Sequence, residues 1–265
     1  MILFSLVFFL FIGAVLSHLY LWKPSNMSSF YNGNSPLFFA HRGASTTAPE
    51  NTISAFTQAV NSGVPALEID VIRTFDGVLL CSHNFDLERK TDYDGYIDEM
   101  PYDKIKNANA AINWNYKKEG IPRLEDVLKI IPKHVRLNIE IKSRSFDDIS
   151  AVRDVVELIR GEDFIKRTII SSFNPIVIWY VKWINPHVLT GFLYNNLDYF
   201  FMINAVHPDC LHTTAELVSE NLVKFSKQRG LALNIWTVNT KPAIEWLIDL
   251  KVDGIITDQI ELFQI

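Results

Sequence analysis

His41 and Arg42 stand side by side directly after the apolar run LFFA in a chain of 265 residues. An imidazole that titrates near neutral pH, next to a permanent cation at a strand end, is suited to meet an anion. Glu68 and Asp70 lie two residues apart in LEIDVIR, and on a β-strand that spacing points both carboxylates to one face. Like charges held so close are costly unless a cation sits between them. His83 closes the run VLLCSH, and Glu140 and Lys142 repeat the two-residue spacing in NIEIK, adding a third carboxylate and a second cation. Three carboxylates with no Cys or His at ligand spacing make a hard oxygen site, suited to one Mg2+ or Ca2+ ion and unsuited to zinc or copper. His41 and His83 then remain free for proton transfer. Arg42 and Lys142 would hold an anion beside the metal, and phosphate is the natural match for that set. Trp236 and Asn239 end the run LALNIWTVN.

These groups converge only if several strands deliver them to one end. From residue 37 onward short β-branched or aromatic runs alternate with helical-period stretches, the pattern of parallel βα units. Strands are expected at 37–40, 66–73, 78–82, 136–141, 168–172, 188–194, 203–206, 231–238 and 254–257, one more than a closed barrel needs. The weakest are 78–82, which follows the turn Phe75-Asp76-Gly77, and 203–206, which is short; one of them is expected outside the barrel order. Helices are expected at 52–62, 123–131, 147–160, 174–184, 214–229 and 242–250, the fifth opened by a capping box from Thr213 to Glu216. The fold class is α/β, a TIM-type (β/α)8 barrel over residues 37–265, with its chemistry at the carboxyl ends of the strands. Residues 84–121 lack a clean apolar period and read as a small inserted subdomain over one end.

With 48 % hydrophobic and 21 % charged residues the composition is globular. Lys23 is the sole charged side chain before residue 36, so the remainder carries 24 basic against 30 acidic groups, which argues against a nucleic-acid partner. Cys81 and Cys210 form neither a disulfide framework nor a zinc pattern. Residues 2–22 are almost unbroken apolar sequence, long enough for a hydrocarbon core of roughly 30 Å. The expectation is an N-terminal transmembrane anchor over 1–23 and a single-pass membrane localisation, with Tyr20 and Trp22 at the interface. A basic leader and a small-residue cleavage site, the marks of a cleaved signal, are missing. Residues 24–36 read as a flexible tether, with a sequon at Asn26-Met27-Ser28 that matters only on a lumenal side.

The segments HRGASTTAPENTISAF, LEIDVIRTFDGVLLCSH, NIEIK, WTVN and DGIITD follow one another across residues 37–265. Together they resemble the glycerophosphodiester phosphodiesterase family, here as a membrane-anchored member. The resemblance implies a barrel with an inserted subdomain and one divalent metal on Glu68, Asp70 and Glu140. It further implies His41 and His83 as general acid and base, and Arg42 and Lys142 as the phosphate grip. The reaction implied is hydrolysis of glycerophosphodiesters to glycerol 3-phosphate and an alcohol. The sequence departs from the family pattern at Asn84, where an aspartate is usual, at LERKTDYDG, a loose match to an arginine-threonine-glycine pattern, and after Asp258, where Gln259 replaces a proline. None of these removes a proposed ligand or acid/base group.

Trp236 suits a core position and a wall for the substrate's organic group equally, and is counted with the substrate contacts. Glu50 and Asn51 are expected to order the loop and cap the next helix. His18, His134, His187 and His212 are read as structural, and His207 more as pocket wall than as a catalytic group. An anchor makes a lysophospholipase D acting on membrane lysophospholipids the close alternative. A non-enzymatic alternative is a membrane-tethered binding or scaffold barrel, whose signature would be a lost histidine or carboxylate; none is lost here.

Overall fold

The computed structural model describes residues 2–31, 33, 36–115 and 117–264. Nine strands form one sheet: β1 (Leu37–His41), β2 (Ala66–Arg73), β3 (Leu79–Cys81), β4 (Arg136–Ile141), β5 (Thr168–Ser172), β6 (Leu189–Tyr194), β7 (Cys210–Thr214), β8 (Ala232–Trp236) and β9 (Gly254–Thr257). Eight of them are parallel and close in the order β1-β2-β4-β5-β6-β7-β8-β9 and back to β1, while β3 pairs antiparallel with β2 outside the ring. This is a TIM-type barrel, and β3 is the strand that falls outside its order.

Every strand is buried along nearly its whole length, as expected where helices cover one face and the lumen the other. In β2 the outer set Leu67, Ile69 and Val71 joins Phe56 and Val127 from the helices Ile53–Asn61 and Leu124–Ile130 in one core cluster. The alternating set, Glu68 and Asp70, is thereby turned inward. Register does the rest: His41 lies opposite Glu68, and Asp70 opposite Glu140. Lower in the barrel, a Cβ on Gly191 would lie 2.5 Å from His212 Nε2 and one on Gly254 2.0 Å from Asn234 Oδ1. Both glycines thus make room for a fully buried pair in which Asn234 Nδ2 and His212 Nε2 are 2.8 Å apart. Burial pushes His212 down to about 3, so it is neutral and structural.

Four expectations need correction. Residues 203–206 form a helical turn, Ile203–Val206, ended by His207 at φ 53 and then Pro208; four apolar residues do not distinguish strand from helix. The strand of that unit is β7, whose polar Cys-Leu-His-Thr-Thr sequence suits a lumen already lined with polar groups. Consequently the helix expected from residue 214 begins at Glu220, capped by Ser219, whose Oγ accepts from Leu222 N at 3.2 Å. The tether is not free either: Met27 and Phe30 are buried with Phe39, Ala66, Ile169, Ala232 and Ile256, closing the bottom of the barrel.

The last correction concerns the membrane. No helix among the described residues is long and apolar enough to cross one, and the single-pass localisation is withdrawn. The helix Ile2–Tyr20 spans 19 residues, and at its expected interfacial end Trp22 packs on the barrel while Tyr20 stays exposed. His18 and Trp22 pack on His207 at 4.3 and 4.8 Å, and the Arg229 guanidinium lies 4.9 Å from the Trp22 ring.

Candidate active site

The carboxyl ends of β1, β2, β4, β8 and β9 carry the site. Glu68, Asp70 and Glu140 are buried, and each offers an oxygen within 4.8 Å of the others. Two cations grip them. Arg42 Nε lies 3.0 Å from Asp70 Oδ2 and its Nη1 donates to Glu50 Oε1 at 3.1 Å, while Lys142 Nζ donates to Glu140 Oε1 at 2.7 Å and stands 3.4 Å from Asp70 Oδ1. Burial would raise Asp70, but Lys142 and Arg42 outweigh it and hold this carboxyl well below the usual range. Glu68 goes the other way: burial first, then the charges of Asp70 and Glu140, push it well up. Glu140 is also raised by burial and by Asp70, against the pull of Lys142. Burial would lower Lys142, yet Glu140 and Asp70 keep it far above its ordinary value.

This charge pattern fits a cation. Glu68 Oε1 is buried with no hydrogen-bond partner, and the cluster retains more negative charge than Arg42 and Lys142 neutralise. Oxygen donors of that kind suit a hard divalent ion.

The chain reaches this geometry through a strained turn. Arg42 sits at φ 58 and Gly43 at φ 82, the left-handed region, costly for arginine and free for glycine. A Cβ on Gly43 would meet the Ala55 carbonyl carbon at 2.7 Å, so the turn lies flat on the helix Ile53–Asn61. Arg42 N donates to Glu68 Oε2 at 3.1 Å, and Asn51 Nδ2 donates to Asp70 Oδ2 at 2.9 Å while its Oδ1 accepts from Asp70 N at 3.2 Å. Asn51 therefore fixes a carboxylate. The cap expected of it is made by Thr52, which accepts from Ala55 N at 3.2 Å.

His41 Nδ1 is 2.7 Å from Asp258 Oδ1. A carboxylate only accepts, so Nδ1 carries the proton and Nε2, 3.9 Å from Glu68 Oε2, faces the carboxylates. Burial would raise Asp258, but the His41 hydrogen bond and charge, with further bonds from Asn239 and Ser45, hold it at about 2. Asn239 Nδ2 donates to Asp258 Oδ2 at 2.6 Å and its Oδ1 accepts from Asp258 N at 2.9 Å. His83, half-buried just beyond β3, has Nδ1 3.1 Å from Asn84 Oδ1 and is lowered by burial despite the Asp70 charge.

The structure thus brings His41, Arg42, Glu68, Asp70, Glu140 and Lys142 into direct contact. Trp236 ends β8, edge-on to Phe173 at 5.6 Å. His207 lies at the opposite end of the barrel, against the amino-terminal helix. Asp258 stands in the motif DGIITD, but its link to His41 spans 217 positions and has no local signature.

The model of the glycerophosphoryl diester phosphodiesterase family matches residues 41–262. The chain belongs to this family. Among its relatives, a glycerophosphodiester phosphodiesterase of Caldanaerobacter subterraneus is 36 % identical over 85 % of this chain and 95 % of its own length. One of Bacillus altitudinis is 30 % identical over 83 % and 93 %. Among solved structures, a phosphodiesterase of Oleispira antarctica in complex with its product sn-glycerol 3-phosphate superposes with a TM-score of 0.80 at 26 % identity, over 88 % of this chain and 97 % of that one. A glycerophosphodiester phosphodiesterase of Parabacteroides distasonis gives 0.76 at 28 % identity over the same shares. In glycerophosphodiester phosphodiesterase terms, the family match begins at His41 itself.

Proposed function

We propose that this chain is a metal-dependent glycerophosphodiester phosphodiesterase, releasing glycerol 3-phosphate and an alcohol. The observation that carries the reading is the convergence of Glu68, Asp70 and Glu140 between Arg42 and Lys142, with His41 turned toward them by Asp258. Glu68, Asp70 and Glu140 would hold one divalent cation, Mg2+ or Ca2+, which when bound supplies a Lewis acid to the phosphoryl oxygen.

The rest of the chemistry falls to the chain's own groups. Arg42 and Lys142 grip the phosphate and offset the negative charge that grows in the transition state. His83, kept neutral by burial, is placed to accept the proton of the attacking hydroxyl or water. His41, with Nδ1 tied to a carboxylate, is placed to hold a proton at Nε2 for the leaving alkoxide. Trp236 forms a wall for an arm of the substrate. Residues 37–265 make up the catalytic barrel, and 84–121 an insertion over its mouth whose Lys90 reaches Glu50 at 3.2 Å.

His41→Ala and His83→Ala should each lower glycerophosphocholine turnover by about three orders of magnitude or more with an unchanged melting temperature. Near-wild-type turnover in either variant would sink the acid/base pair.

A further inference from the structure

The chemistry above gives Glu50 no role, and its own loop does not need its side chain. Other groups close the turn from His41 to the helix Ile53–Asn61. Asn51 N donates to the Arg42 carbonyl at 3.0 Å, Ala44 N to the Ala55 carbonyl at 3.0 Å, and Thr52 Oγ1 to the Pro49 carbonyl at 2.6 Å. Ser54 N, at the start of the helix, donates to Glu119 Oε1 of the insertion at 2.9 Å. Among the described residues the Glu50 carboxylate accepts only from two side chains, Arg42 Nη1 at 3.1 Å and Lys90 Nζ at 3.2 Å.

A guanidinium is a planar fork, and its bonds to an anion depend on where that plane lies. Asp70 Oδ2 lies 3.0 Å from Arg42 Nε, yet Nε forms no hydrogen bond among the described residues. Asp70 therefore attracts the charge without orienting the fork. The directional bond is the one to Glu50, and it leaves Nη2 for the phosphate. Glu50 is itself a long side chain that loses rotamer freedom when it is held, and Lys90 holds it from the other oxygen. The Lys90 backbone is fixed in turn: Thr91 N and Thr91 Oγ1 donate to the Leu87 carbonyl at 2.9 and 2.8 Å, and both residues are buried. Asp86, the neighbouring carboxylate, is engaged by Arg89 at 3.2 Å.

We propose that Glu50 is a positioning residue that sets the plane of the Arg42 guanidinium for the phosphate, with Lys90 bracing it from the insertion. The inference rests on Arg42 as the phosphate grip of the phosphodiesterase reading and adds the residues that aim it. The insertion thus acts on the phosphate grip through one carboxylate.

The test is glycerophosphocholine hydrolysis with Mg2+ or Ca2+, beside inhibition by inorganic phosphate, in wild type and in variants combined with Arg42→Ala. Glu50→Ala should lower kcat/KM by about ten- to a hundred-fold, the cost of a misaimed group, and raise the inhibition constant of phosphate about ten-fold. In the Arg42→Ala background the same change should cost less than about two-fold more, because Glu50 acts through Arg42. A residue that only orders the loop would cost as much in either background. Lys90→Met, a half-exposed substitution that does not endanger folding, should cost about three-fold alone and nothing in Arg42→Ala. Glu50→Ala within about two-fold of wild type, or its full loss repeated without Arg42, overturns the positioning role and leaves the phosphodiesterase reading standing. An unchanged rate in Lys90→Met overturns the brace. Inactivity of the wild type with either ion overturns the phosphodiesterase reading and the inference with it.

Discussion

Replacing Asp258 by asparagine removes a charge and, because of its neighbours, also reverses a hydrogen bond. Asn239 cannot rotate, since its Oδ1 already accepts from Asp258 N and from Thr257 Oγ1. Its Nδ2 must therefore point at side chain 258, and an amide introduced there has to turn its oxygen toward Asn239. The amide nitrogen then faces His41 Nδ1, which can only accept from it, so the imidazolium that carries protons on both nitrogens and delivers the one at Nε2 loses its Nδ1 acceptor. The charge effect alone sets a floor. The His41 hydrogen bond and charge share the lowering of Asp258 with the Asn239 and Ser45 bonds, and for a carboxylate this open to solvent the part that belongs to His41 is about 1 kcal/mol, or roughly five-fold in rate. Losing the carboxylate behind a histidine that works as base and then as acid costs up to ~10^4 in a serine protease triad, which sets the upper limit here. We expect kcat to fall between these limits for Asp258→Asn, with the melting temperature unchanged. The exchange Asn239→Asp/Asp258→Asn lets the new amide turn round, restores an acceptor to His41, and should recover at least about ten-fold of the loss. The assay is steady-state hydrolysis of glycerophosphocholine from pH 5 to 9. A single variant within three-fold of wild type, or a pair no better than the single variant, refutes the claim that Asp258 supports the protonated His41.

Three further outcomes follow. Phe30→Ala should lower stability to urea by about 3–5 kcal/mol, with kcat almost unchanged, because the plug lies at the end of the barrel away from the site; a loss below about 1 kcal/mol would show the segment to be a loose tether after all. His212 accounts for part of the acid sensitivity. Its folded value, about 3, lies below the unfolded value of about 6.5, so below pH 6.5 the unfolded chain binds a proton that the folded chain refuses, and stability falls by up to about 1.4 kcal/mol per pH unit. His212→Asn should flatten that slope between pH 4 and 6, and an unchanged slope assigns the sensitivity elsewhere. Arg144→Ala frees the insertion from β4 and should raise amide exchange around 96–99 while leaving that of β4 unaltered; equal protection would mean the Arg144 contacts with Asp98, Glu99 and Tyr96 do not hold it.

What could be read in the sequence divides along a physical line. The carboxylates of β2 and β4 were legible because a barrel strand alternates between helix and lumen, so a polar pair inside an apolar run announces its own direction. Strands 66–73, 136–141, 168–172 and 254–257 coincide with β2, β4, β5 and β9 for the same reason. The β7 strand was not legible, because its inward residues meet a polar lumen and break the apolar run by which strands are recognised. The pairings of Asp258 with His41 and of Asn51 with Asp70 are tertiary hydrogen bonds, and no spacing encodes them. The amino-terminal segment misled for a different reason: hydropathy reports the cost of exposure to water, not what an element packs against, and here His18 and Trp22 meet His207 and Arg229 while most of the helix stays exposed.

The central claim is that Glu68, Asp70 and Glu140 form a divalent-cation site on which phosphodiester hydrolysis depends. The most direct measurement is glycerophosphocholine hydrolysis by the full chain, first stripped with a chelator, then given back Mg2+ and Ca2+ in turn, beside Glu140→Gln treated alike. Activity should vanish on stripping, return with at least one of the two ions, and return only at much higher ion concentration in the variant. Hydrolysis that continues unchanged through stripping would contradict the account.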